Sequence, residues 1–156
     1  MKIIIEGCDG VGKTTLVNLL ANRYRLDICH CTQHDPADFE FYKQTARKEN
    51  IIWDRHTIGE LIYPRVFDRK QQISPEDARI ILSYAKENGG KIFVLTAPLQ
   101  EIKKRLLARN VPEDSRIMEN LGVINDQFLF YADVFNIPVI DTSCMNISEI
   151  FEMVEK

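Results

Sequence analysis

Gly7-Cys8-Asp9-Gly10-Val11-Gly12-Lys13-Thr14 has glycines at its first and sixth positions, then a lysine and a hydroxyl residue. That is the spacing of a loop that cradles phosphate groups. The glycines let the chain fold back, so that backbone N–H groups converge on phosphate oxygens at the start of a helix. Lys13 adds a mobile positive charge for the β- and γ-phosphates, and the Thr14 hydroxyl can ligate Mg²⁺. Gly10, Val11, Gly12, Lys13, Thr14 and Thr15 are the expected contacts to a nucleoside triphosphate.

Asp54-Arg55 is the second chemical signal, because it ends the apolar run Ile51-Ile52-Trp53. An acid there can join Thr14 around Mg²⁺, and Arg55 can clamp a phosphate with its planar fork. Thr96-Ala97-Pro98-Leu99 stands where a GTPase would carry Asn-Lys-x-Asp, which excludes that class. Cys8, Cys29, Cys31 and Cys144 form no C-x-x-C pair, so Cys29 and Cys31 read as buried thiols on a core strand rather than zinc ligands. His30 and His56 read as structural.

Both constellations need a scaffold that brings strand ends together. Apolar runs at 3–6, 26–32, 51–53, 91–96 and 138–141 read as strands. They alternate with helical segments at 13–24, from Ser74-Pro75-Glu76-Asp77 to Gly89-Gly90, from Pro98 through Ile102, Leu106 and Leu107, across Ile117 to Phe135, and at 147–154. The expected fold is α/β: a three-layer P-loop kinase fold with a five-stranded parallel sheet and helices on both faces. Ligands of such sheets bind beyond the carboxyl ends of the strands, where both constellations lie. With 156 residues, a net charge of −3, 45% hydrophobic and 28% charged residues, the chain reads as one ordinary globular domain. The charge balance argues against nucleic acid as a partner, and no stretch is apolar enough to span a membrane. With no export signal, the expected compartment is the cytoplasm.

The chain resembles the thymidylate kinase branch of P-loop kinases, and compact phage-type deoxynucleoside monophosphate kinases in particular. Glu6 to Thr15, Asp54-Arg55-His56-Thr57-Ile58-Gly59-Glu60-Leu61-Ile62-Tyr63 and the arginine-bearing helix from Leu99 to Arg109 carry the resemblance. It implies ATP- and Mg²⁺-dependent phosphoryl transfer to a deoxynucleoside 5′-monophosphate, dTMP or a related pyrimidine nucleotide. It also implies a single domain over 1–156 with a small lid around 105–118, and it allows a homodimer. Asp9 would face the acceptor's sugar or the metal shell, and Arg55 would grip the acceptor phosphate. The chain departs from that family after the second strand, where His34-Asp35-Pro36-Ala37 replaces Arg-Glu-Pro-Gly-Gly.

On this reading Arg105 and Arg109, four apart on one helix, share a face and approach the transferring phosphoryl group, with Arg116 a further candidate. Arg69 is a second clamp for the acceptor phosphate, and Glu60 and Tyr63 line its pocket. Phe39 or Tyr42 stacks on the acceptor base or belongs to the core. A deoxynucleoside kinase with Asp35 as base, and a non-catalytic nucleotide-binding module, are the alternatives.

Overall fold

The computed structural model describes residues 1–32, 35–109 and 112–156; His34 lies outside them. β1 (Lys2–Glu6) runs through the glycine loop into α1 (Lys13–Tyr24), followed by β2 (Asp27–His30), α2 (Phe39–Thr45), β3 (Ile51–Asp54) and α3 (Thr57–Val66). Then come α4 (Pro75–Glu87), β4 (Gly90–Thr96), α5 (Leu99–Leu107), α6 (Ser115–Val134), β5 (Val139–Asp141) and α7 (Ile147–Glu155). The strands form one parallel sheet in the order β2-β3-β1-β4-β5. Every residue of β1 and β3 is buried. Since successive side chains point to opposite faces, the centre of the sheet is covered on both sides, as in a three-layer α/β fold.

The register aligns the strand ends that matter. Ile5 lies beside Asp54 of β3 and Phe93 of β4, so Glu6, Arg55 and Val94 follow at one end of the sheet. The glycine loop and the Asp54-Arg55 turn therefore leave the sheet side by side.

Local chemistry sets the helix ends. Ser74 and Asp77 form a reciprocal capping box at the start of α4: the Ser74 hydroxyl accepts the Asp77 N–H at 3.1 Å, and Asp77 accepts the Ser74 N–H at 2.8 Å. Gly89, at φ 74°, ends α4 in the left-handed conformation that a side chain disfavours.

Three details differ from the sequence expectation. β2 is shorter and lies at the sheet edge with mostly exposed side chains, so Cys29 and Cys31 are half-buried rather than core thiols. α3 had no readable pattern, because Thr57 to Pro64 are all buried and the helix contains both Gly59 and Pro64. Leu107 is exposed, since Ile102 and Leu106 already occupy the inward stripe of α5 and the next residue turns away.

Replacing Ser74 by alanine removes one half of the α4 cap, at a site remote from the strand ends. The expected cost is about 1 kcal/mol, read as a lower urea midpoint with an unchanged denaturant slope.

Candidate active site

The loop after β1 is held against its neighbours so tightly that glycine is required. A Cβ on Gly7, at φ 142°, would lie 2.6 Å from the Leu95 carbonyl oxygen. One on Gly10, at φ 82°, would lie 2.8 Å from Leu106 Cγ. Gly12 is the N-cap of α1 and brings no capping side chain, which leaves the first-turn N–H groups available to an anion. Val11 is fully buried, and its carbonyl accepts the Thr142 hydroxyl at 2.7 Å.

Lys13 is buried and folds back, its ammonium donating to the Cys8 carbonyl at 2.7 Å. Burial, and then the nearby Arg55 charge, hold its pKa below the ordinary lysine value. The Thr14 hydroxyl donates to Asp54 Oδ2 at 3.3 Å, and His30 Nδ1 stands 3.4 Å from the same oxygen. A hydroxyl and a carboxylate side by side suit Mg²⁺, which takes few protein ligands and completes its shell with water and phosphate oxygens. Among the described residues no group of three His, Cys, Asp or Glu side chains converges as a metal cage.

Arg55 follows β3 with φ 70°, and its N–H donates to the Ile5 carbonyl at 2.9 Å. Its guanidinium pairs with Asp9 Oδ1 and lies 5.0 Å over the Tyr63 ring, while the Tyr63 hydroxyl donates to Asp9 Oδ2 at 2.6 Å. Burial works against the Asp9 charge, but Arg55 and Lys13 outweigh it and hold the carboxyl below its ordinary value. Deeper along α3, Glu60 takes both ends of the Arg69 fork at 2.9 and 2.7 Å, and also the Gln72 N–H at 3.1 Å. Arg69 is thus already neutralised by a buried carboxylate, unlike a free phosphate clamp.

A cleft of 430 Å³ gathers Asp9, Lys13, Thr14, Asp54, Arg55 and Tyr63, and Gly10, Gly12, Thr15, Glu60, Arg69 and Arg109 also line it. Asp35, Phe39 and Arg105 do not. Asp35 accepts the Thr32 N–H and hydroxyl at 2.6 and 3.0 Å, and Lys43 lies over the Phe39 ring. Arg105 and Arg109 diverge because α5 ends at Leu107. Arg105 binds Glu101 and Thr142 beside a separate 310 Å³ groove, whereas Arg109, past the helix end, pairs with Glu113 at 3.4 Å. Arg116 pairs with Asp114 and covers the Phe67 ring.

Three further groups lie at or beside the site. His30 and His56 both line the cleft; His30 stands beside Asp54, and His56 is a buried ring bonded to the Thr45 hydroxyl at 2.7 Å and kept neutral, its pKa pushed down by burial to about 3. Glu6, an acid ending an apolar strand, is a further functional candidate that the motifs alone do not reveal. It is fully buried, accepts the Ile58 N–H at 2.7 Å, and has its pKa raised by burial to about 7.

No family model matches the chain. Cytidylate kinase 2 of Borreliella burgdorferi is 27% identical over 173 residues, spanning 99% of this chain and 93% of that protein. The crystal structure of Bacillus subtilis YorR in complex with phosphorylated GDP superposes with a TM-score of 0.83 at 22% identity, over 99% of this chain and 96% of that one. Thymidylate kinase from Candida albicans gives a TM-score of 0.62 at 17% identity, over 98% and 90% of the two chains. The chain has the P-loop fold of nucleoside and nucleotide kinases.

The Glu6 pKa makes a signed prediction. Raised from 4.5 to about 7, the folded state holds this proton more tightly than the unfolded chain, so stability falls as pH rises through that window and is level above it. The full effect is on the order of 3 kcal/mol. Glu6→Gln, which mimics the neutral acid, should raise Tm by several degrees at pH 8 and by little at pH 5.

Proposed function

We propose that the chain is a nucleoside monophosphate kinase that transfers the γ-phosphoryl group of ATP to the 5′-phosphate of a pyrimidine deoxynucleotide. The observation that carries this reading is a single cleft in which the donor-side residues Lys13 and Thr14 face the acceptor-side Arg55. A triphosphate cradle alone would serve any P-loop protein; a half-buried arginine lining the same cleft from the end of β3 suits a second phosphate.

An oxygen of the acceptor phosphate attacks the γ-phosphorus, the bond to the β–γ bridging oxygen breaks, and ADP leaves. That nucleophile is already anionic at neutral pH, so the protein's task is positioning and charge neutralisation rather than proton removal. Lys13 swings from the Cys8 carbonyl to the β- and γ-phosphates, and the loop N–H groups hold the donor. Thr14 and Asp54 hold Mg²⁺, which neutralises the phosphate oxygens when bound. Arg55 offers the acceptor phosphate the donors that Asp9 leaves free, and Asp9 and Tyr63 meet the sugar. Arg109 closes over the transferring group from a lid around 105–118, part of which lies outside the described residues, and Arg105 secures the donor end through Thr142.

The Glu60–Arg69 pair offers an acceptor beside donors, the complement of a cytosine or thymine edge. Similarity to a cytidylate kinase supports the same class of acceptor.

The test is ADP formation from ATP and Mg²⁺ with a panel of dCMP, CMP, dTMP, dUMP and dGMP. One nucleoside diphosphate should form per ADP with at least one pyrimidine monophosphate. Turnover only with nucleosides, or none with any acceptor, would overturn the reading. Arg55→Lys keeps the charge but loses the fork, and should lower acceptor kcat/KM by about 10²-fold with little change in ATP affinity.

A further inference from the structure

α3 carries the acceptor side of the cleft, yet it begins without a cap of its own. Its N-cap, His56, makes no side-chain bond to the first turn, because the ring is committed to Thr45. The acceptor for that turn comes instead from another strand: Glu6 Oε1 takes the Ile58 N–H at 2.7 Å across 52 residues of sequence. A carboxylate at a helix N-terminus is favourable both as a hydrogen-bond acceptor and as a charge against the helix dipole.

The preceding residue makes the matching contact. Ile5 accepts the Arg55 N–H, so the adjacent residues Ile5 and Glu6 hold both ends of the turn from Arg55 to Ile58. Arg55 has φ 70° within that turn, a conformation disfavoured for any residue with a side chain and retained where surrounding contacts over-determine it. The residue after Glu6 is Gly7, the first of the phosphate loop. We propose that Glu6 is a positioning residue: it caps α3 from β1 and thereby holds the acceptor-side Arg55 in register with the donor-phosphate loop. The proposal rests on the kinase reading above for its catalytic consequence, but not for the clasp itself.

The groups facing Glu6 are Lys13 of α1, Arg55 and the His56 N–H of the turn, Cys31 after β2 and Tyr42 of α2. The two cations and the two backbone N–H groups favour the carboxylate, and burial opposes it. Glu6 Oε2 is buried with no hydrogen-bond partner among the described residues, so the carboxylate is held by few bonds and its charge state decides how firmly the turn is clasped.

Two variants test this. Glu6→Asp is one methylene shorter and withdraws the oxygen from Ile58. Glu6→Gln keeps an oxygen but loses the charge. In Glu6→Asp the acceptor KM should rise by about tenfold or more and hydrogen exchange at the Ile58 amide should quicken by a similar factor, while ATP affinity stays within about twofold. In Glu6→Gln the Ile58 amide should regain most of its protection. Wild type should show a steeper rise in acceptor kcat/KM between pH 6 and 8 than this variant does, both measured with the same acceptor so that the acceptor's own phosphate ionisation cancels. A Gln variant that is more stable above neutrality yet slower cannot be explained by lost structure. Equal changes in donor and acceptor constants, or no change in either, would overturn the positioning role, as would unaltered Ile58 exchange in Glu6→Asp. If wild-type protein phosphorylates no monophosphate, the kinase reading fails, and exchange at Ile58 still decides the clasp.

Discussion

Four ionisable side chains crowd together where β1 leaves the sheet, three of them buried and Arg55 half-buried. Glu6, Asp9, Lys13 and Arg55 would each be costly to bury alone. Arg55 is the hub: it pairs with Asp9, lies over Tyr63, and acts on the charge states of both Lys13 and Glu6. Removing Arg55 would leave Asp9 as an uncompensated buried charge, whereas Glu6, with its pKa raised to about 7, can shed its own charge by protonation. The geometry of the cleft is therefore coupled to the register of β1 against β3, since a slip of one residue would carry Arg55 away from Asp9.

The sheet supplies that register because its central strands are buried on both faces and cannot slide without exposing isoleucines. Ile3, Ile4 and Ile5 are all fully buried, and they alternate between the two helical layers. The polar ends of the strands are thus projected from a rigid base. What differs between the two sides of the site is support: the glycine loop is fixed by close contact with β4 and α5, whereas the Arg55 turn is fixed by hydrogen bonds to two consecutive residues of β1.

Much of this was legible in the sequence, for physical reasons that differ from residue to residue. The glycine loop could be read because the backbone conformation itself demands Gly7, Gly10 and Gly12, so composition and geometry coincide. Asp54-Arg55 could be read because charges that interrupt an apolar strand have few structural uses. α3 could not, since a helix buried all round has no polar face to set a period. The divergence of Arg105 from Arg109 was equally hidden: it depends on where α5 stops and on Thr142, far along the chain. Glu60 and Arg69 both stand out in the sequence, but their neutralisation of each other is a tertiary fact that spacing alone does not fix.

Thr142 has a consequence for binding thermodynamics. Its hydroxyl meets the Val11 carbonyl, its N–H extends the ladder to Thr96, and Arg105 grips it from the other side. The apex of the glycine loop is thereby latched to the end of β5, while Gly7 and Gly10 press on β4 and α5. A loop rich in glycine would be floppy in isolation, yet here its chain entropy is lost during folding rather than at nucleotide arrival. On the kinase reading proposed above, a triphosphate would meet a preorganised cradle, and its contacts with the loop would be realised as affinity instead of being offset by ordering.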